Sequence, residues 1–560
     1  MGRIRVKKLA AAVVSIVLAG TACSTAGSSP PPEAKPALKA GLNAGLKAGP
    51  VQRFLVFYAD GQSSAALRAV TDAGGVLKGQ DARLGYLLVS ATDLGRISAN
   101  PAIVGVTPDR KIGRALADTD GSLPVPLGDA SVKRPRHIRA EPLAYRQWDM
   151  RMIGATPKGS YARATGRKVL VGVIDTGIDG KHPDIAPNFN RKLSRNFVTD
   201  RPKDPNGKTF DGKCEFKNCK DPADWDDDGH GTHVASTIGS PINGIGIAGV
   251  APNVSLVNLR AGTDSGYFFL KPTLDALTYA ADHGINVVNM SFYVDPWTYN
   301  CPANPADSPA EQAEQRAILV GMQRAVNYAR SHGVTLISAI GNSSTDLGKV
   351  TKDSASPDYP LGSERARTID NTCKDAPAEL DGVISVTAVG PSGLKASYSD
   401  YGLEQADLSA PGGDSGDKAS KLSSVRREIL AAAPLHVLKA GGTLTSDTVV
   451  KDCHTGKCSY YQYLDGTSMA SPHAVGVAAI IIGRFGKRLS NGRLYMDPAE
   501  VERLLNATSV QKSCPTPPAH AYSKTDVQLC EGSKAKNGFY GRGVVNAMRA
   551  ATIKRPGVTP

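Results

Sequence analysis

Four short stretches of this chain hold side chains that can move a proton or attack a carbonyl carbon. Asp175 stands in VIDTGID, His230 and His233 in DDDGHGTHVAS, Asn342 in SAIGNSS, and Ser468 in LDGTSMASPHAV beside Thr467 and Ser471. Each has an ordinary structural use as a helix cap, a loop histidine or a turn residue. Together they are the parts that acyl transfer requires. A serine hydroxyl is a weak nucleophile without a base, the base needs an orienting carboxylate, and the tetrahedral oxyanion needs a hydrogen-bond donor.

The surrounding pattern says what positions them. KVLVGVIDTG, VSLVNLRA, INVVNMSF, GVTLISAIGNSS and GVISVTAVG are continuous apolar strands. They alternate with helical stretches such as PTLDALTYAADHG and EQRAILVGMQRAVNYARSHG. Unbroken apolar strands predict a mostly parallel sheet covered by helices on both faces, where active residues gather at the carboxyl ends of strands. Asp175 and Asn342 follow two such strands, and Ser468 opens MASPHAVGVAAIIIGRF, apolar on every side with Pro472 in its first turn. A hydroxyl there meets a field that favours negative charge.

Upstream, residues 51–110 predict the order β-α-β-β-α-β, a small ferredoxin-like α+β unit. Residues 24–50 have the Pro, Ala, Gly and Ser composition of a tether, and 111–146 lose all periodicity and read as a second linker. The first 23 residues combine Arg3, Arg5, Lys7 and Lys8 with an apolar run too short to span a bilayer, an export signal. The net charge of +14, from 66 basic and 52 acidic residues, is spread along the chain. That predicts a solvated basic surface and no nucleic-acid partner. Beyond Cys23, eight cysteines form an even set in an exported chain: Cys214, Cys219, Cys301, Cys373, Cys453, Cys458, Cys514 and Cys530. Local pairing would join 214 to 219, 453 to 458 and 514 to 530, leaving Cys301 for Cys373; a zinc site from the two closely spaced pairs is the rival.

The motifs DTGID, HGTHVA and GTSMASPH, in that order, resemble the subtilisin-like serine proteases over residues 147–546. The resemblance implies an exported serine endopeptidase, expected as a monomer acting on protein or peptide substrates. Asp175 would orient His230, His230 act as base and acid, Ser468 as nucleophile and Asn342 as oxyanion donor, with His233 and Ser471 structural. It further implies that substrate lies extended beside Ala261, Gly262 and Gly266 and beside Ser291. A structural Ca²⁺ would be held by Gln147, Asp184, the Asn243 side chain and the carbonyls of Pro241, Ile245 and Ile247; no organic cofactor is implied. The segment 356–382 departs from the family's pattern around the pocket for the residue before the scissile bond and gives no preference there.

By the same resemblance, 51–110 looks like the family's propeptide, an intramolecular inhibitor and folding template, with self-cleavage inside 111–146 and a catalytic domain over 147–560. The end of the signal resembles a lipoprotein lipobox, with Gly20 in place of the usual leucine, so Cys23 is the expected lipidation site. The product would be secreted, or lipid-anchored at the outer face of a bacterial cell membrane. Two alternatives stay open: an esterase-type acyl hydrolase, whose residue order runs serine, acid, histidine, and a catalytically silent binding protein on the same fold.

Overall fold

The structure, a computed structural model, describes residues 52–92, 94–110, 139–454 and 456–554. The signal, Cys23, the tether and most of the second linker lie outside the described residues. The amino-terminal unit runs β1 (Gln52–Tyr58), α1 (Ser63–Asp72), β2 (Val76–Asp81), β3 (Tyr86–Ala91), α2 (Leu94–Ser98) and β4 (Ile103–Pro108). Its strands form one antiparallel sheet in the order β2-β3-β1-β4. Strand alternation divides its apolar residues between two destinations. Phe54, Val56, Leu87 and Val89 pack with Ala66, Val70 and Ile97 of the unit's own helices. Leu55, Phe57 and Tyr86 face the other way, into the core of the larger unit.

That larger unit is built on seven parallel strands: β5 (Leu170–Ile174), β6 (Arg195–Asn196), β7 (Ser255–Arg260), β8 (Val287–Met290), β9 (Thr335–Ala339), β10 (Val383–Val389) and β11 (Leu408–Pro411). Their order across the sheet is β11-β10-β9-β8-β5-β7-β6. Val171 and Val173 turn to one face, which is covered by α3 (His230–Gly239) and by α6 (Thr467–Phe485). Leu170 and Ile174 turn to the other, covered by α4 (Leu270–Asp282) and α5 (Pro309–Ser331). Burial on both faces is why the strands read as unbroken apolar runs. Helix α6 is long and apolar enough to cross a membrane, yet it is mostly buried inside this core. An antiparallel sheet of β12 (Ile429–Ala432), β13 (Val449–His454) and β14 (Lys457–Leu464) leads into it.

The outer face of the small sheet rests on α4 and α5. Gly105 of β4 lies so close to α5 that an added Cβ would come within 2.5 Å of the Ala317 nitrogen. Around this apolar contact, Arg324 donates to the carbonyls of Tyr58, Leu84 and Gly85, Arg316 to that of Val104, and Thr107 to the Glu314 carboxylate.

Candidate active site

Asp175 is the first residue beyond β5 and is fully buried. Its Oδ1 accepts from His230 Nδ1 at 2.7 Å and from the Thr176 N–H at 2.8 Å. His230 opens α3, and the turn before it is folded around Asp226. That buried carboxylate accepts from the Gly229 N–H at 2.9 Å, the Thr232 N–H at 3.0 Å and hydroxyl at 2.5 Å, and the Thr176 hydroxyl at 3.0 Å. Asp228 takes the His230 N–H at 3.0 Å. Burial pulls the His230 imidazolium down, but the carboxylates of Asp175, Asp228 and Asp226 outweigh it and raise its pKa from 6.5 to about 9. Burial, with Asp226 beside it, lifts Asp228 to about 6. The sequence signal for Asp226 and Asp228 is the run of three aspartates that ends one glycine before His230.

Ser468 lies in the first turn of α6, where backbone N–H groups lack intrahelical acceptors. Its hydroxyl donates to the Ser291 carbonyl at 3.4 Å, so the bond to His230 is one the serine must turn to make. Asn342 follows β9 after a sharp turn at Gly341, whose φ of 116° lies in the region that favours glycine. The Asn342 Oδ1 accepts from the Thr467 N–H at 2.9 Å and hydroxyl at 2.8 Å. With its oxygen so engaged, the amide's other end is the one available as a donor. His230, Ser468, Asn342 and Ser291 line one cavity of about 870 Å³.

The remaining motif residues lie behind it. His233 is buried, with Nε2 between the carbonyls of Ile429 and Gln462 at 3.1 Å each, and burial lowers its pKa to about 3. Ser471 donates to Asn289 at 2.8 Å. Of the residues expected along the substrate, Gly266 and Ser291 line the cavity, together with Tyr267 and Phe268. Ala261 and Gly262 are set back, their N–H groups both donating to the Asp175 carbonyl at 3.1 Å. They hold the end of β5.

Of the six residues expected around calcium, Asp184, Asn243, Ile245 and Ile247 are joined by hydrogen bonds, and Gln147 binds the neighbouring Ala248. Asp184, fully buried, accepts from the Ile247 N–H at 3.0 Å, Tyr461 at 3.1 Å and Asn243 at 3.2 Å. Gln147 uses both ends of its amide on the Ala248 backbone, and Asn243 Oδ1 accepts the Ile245 N–H at 2.9 Å. Glu141 takes the N–H groups of Asn243, Gly244 and Ile245, and burial raises its pKa to about 7. The N–H groups of Asn243, Gly244, Ile245 and Ile247 are thus turned to the carboxylates of Glu141 and Asp184. Two other acidic clusters have oxygens close enough for a metal: Asp200, Asp221 and Asp264, and Glu215, Asp227 and Asp264. Arg260, fully buried, donates to all three aspartates of the first.

Four disulfides join Cys214 to Cys219, Cys301 to Cys373, Cys453 to Cys458 and Cys514 to Cys530. Cys453 and Cys458 face each other across the β13–β14 hairpin.

A parallel sheet with helices on both faces, a serine opening its central helix, and an aspartate and a histidine that precede it in that order are the features of the subtilisin-like class of serine endopeptidases. The chain belongs to the subtilase family, whose family model matches residues 166–543. It is 28% identical over 487 residues to an extracellular protease of Xanthomonas campestris pv. campestris, covering 82% of this chain and 68% of that one. Against subtilisin DY of Bacillus licheniformis it is 28% identical over 320 residues, 57% of this chain and 78% of the relative. In fold it matches the epidermin leader peptide processing serine protease of Staphylococcus aureus with a TM-score of 0.58 at 21% identity. That match covers 91% of this chain and all of the other.

Proposed function

We propose that the chain is the precursor of an exported serine endopeptidase in which Ser468, His230, Asp175 and Asn342 carry the chemistry. The Ser468 Oγ attacks a peptide carbonyl while His230 Nε2 takes its proton. Asp175 holds Nδ1–H and stabilises the imidazolium that forms. The oxyanion is met by the Asn342 amide and by the Ser468 N–H at the start of α6. His230 then protonates the leaving amine, and a water deprotonated by His230 hydrolyses the acyl-enzyme. The observation that carries this reading is that His230, paired with the buried Asp175 at 2.7 Å, lines one cavity with Ser468 and Asn342.

On this reading residues 51–110 are the propeptide, 111–146 contain the processing site and 147–560 form the catalytic domain. The support is that β4 delivers Arg110 to the rings of Phe269 and Tyr359, with Tyr267 and Phe268 of the cavity wall adjoining in sequence. Cys23 would anchor only the propeptide, so that processing releases the enzyme. The positive charge among Asp200, Asp221 and Asp264 is supplied by Arg260 in place of a metal. A serine-directed fluorophosphonate should label the wild type at Ser468, and Ser468→Ala should fold, resist labelling and lack proteolysis. Labelling that persists in the alanine variant would overturn the assignment.

A further inference from the structure

The wall of the cavity beside Ser468 is acidic. Ser291, Phe292, Tyr293, Ala339 and Gly341 line it together with Ser468 and Asn342, so this lining is open to the side chain of a substrate's acyl residue. Beyond the catalytic His230, Lys352 is the one basic side chain in the lining, against Asp228, Asp295, Asp353, Asp358, Glu364, Asp375 and Asp400. Most of these acids are already matched. Asp353 is ion-paired with the buried Arg367. Asp400 Oδ1 accepts the N–H groups of Ser343 at 2.9 Å and Thr345 at 2.7 Å. Asp295 accepts from the Phe268 N–H, and Asp358 Oδ2 accepts from the Tyr293 hydroxyl at 2.7 Å while its Oδ1 is buried without a partner.

Asp375 differs. It is 6% exposed, and its Oδ1 is buried without a hydrogen-bond partner. The charged groups that act on it are Glu379 and Asp400, both acids. A carboxylate in that position is costly until a cation reaches it. Its place is nevertheless fixed. The Cys301–Cys373 disulfide lies two residues before it, and Asn300 and Lys374 exchange backbone hydrogen bonds at 2.8 and 3.0 Å. Asp375, Glu379 and Asp400 are not among the carboxylates that bring three oxygens within 4.8 Å of one another, so a long cationic side chain fits better than a metal ion.

Resting on the assignment of Ser468 as nucleophile, we infer that this pocket selects arginine or lysine on the acyl side of the scissile bond, with Asp375 as the binding residue at its base. The substrates are then basic-site peptides, and the enzyme's own linker would be cut after a lysine or arginine.

Mature enzyme, counted by fluorophosphonate titration, is given matched internally quenched peptides with Arg, Lys, Leu, Phe or Glu at the acyl position. The kcat/KM for Arg and Lys should exceed that for Leu and Phe by about 10²-fold, as expected for a buried charge pair. In Asp375→Asn the Arg-to-Leu ratio should fall by about the same factor. A labelled wild type that cleaves after Leu or Phe as well as after Arg overturns the pocket assignment alone, as does an Asp375→Asn enzyme that keeps its ratio. Wild type that neither labels nor cleaves any peptide overturns the nucleophile and the pocket together. If Asp375→Asn does not fold, the wild-type profile and competitive inhibition by benzamidine still decide: failure of benzamidine to compete counts against the pocket.

Discussion

At the scale of single residues, the site places opposite demands on His230. The base must be neutral to accept a proton, whereas its carboxylate neighbours favour the charged form. The side chain is 27% exposed, so solvent screens part of that attraction. The kcat/KM of the free enzyme should therefore rise with pH through an apparent pKa above 6.5 and at most about 9, read from a pH–rate profile with a neutral substrate. A profile flat above pH 6 would contradict the pairing. The same pair stabilises the fold in the opposite direction: its contribution is fully present below pH 6.5 and is lost as pH rises through about 9. Activity and this part of stability should separate as the solution is made alkaline. Asn342→Ala should lower kcat by about 10²–10³-fold with a smaller change in KM, because its amide meets charge that develops only in the transition state. Equal loss in KM would make it a substrate-binding residue. These four residues were legible because their neighbours form motifs. Asp375 was not, since an acid in a long loop reads as solvated surface until the fold closes a cavity over it.

At the scale of elements, the sequence located the long strands of the parallel sheet because burial on both faces leaves an unbroken apolar run. It was less good at ends. The helix expected from Glu314 begins at Pro309, and the signal is local: the Ser308 hydroxyl caps the Glu311 N–H at 3.3 Å while Glu311 returns a bond to the Ser308 N–H at 2.7 Å. The β12–β14 sheet is hard to see in the sequence because its strands are short and interrupted by the Cys453–Cys458 hairpin. In β14, Tyr461 and Tyr463 are buried and alternate with partly exposed residues, the mark of a strand with one covered face. The loop expected to hold calcium has its peptide N–H groups turned to Glu141 and Asp184. If a structural Ca²⁺ sits there as the resemblance implies, EDTA should lower the Tm; an unchanged Tm would count against the site. The long-range Cys301–Cys373 bridge closes the largest loop of the four, so Cys301→Ser/Cys373→Ser should lose about 2–4 kcal/mol in denaturant unfolding. It should also blunt the preference for a basic residue, because the bridge holds the segment that carries Asp375.

At the scale of the whole molecule, the small amino-terminal sheet and the catalytic unit share one apolar core. Phe57 and Tyr86 are buried against α4 and α5, and in a detached unit they would face water. Residues 51–110 alone should show little structure by circular dichroism and gain it when mixed with Ser468→Ala enzyme lacking them; a stable isolated fold would contradict the shared core. Gly105→Val, which drives a branched side chain into the α5 backbone, should abolish docking and reduce the yield of mature enzyme. A normal yield would show that docking is not needed for maturation. The close seat of β4 on α5 has one more consequence. The seven-stranded sheet joins β11, β10, β9, β8, β5, β7 and β6, an order far from that of the chain, and such non-local pairing is slow to nucleate. If the small sheet is the surface on which that pairing is organised, its removal takes away the route back. On the proposed maturation, an enzyme freed of it would survive by the height of its unfolding barrier, and its working life would be a half-life set by that rate and not by an equilibrium.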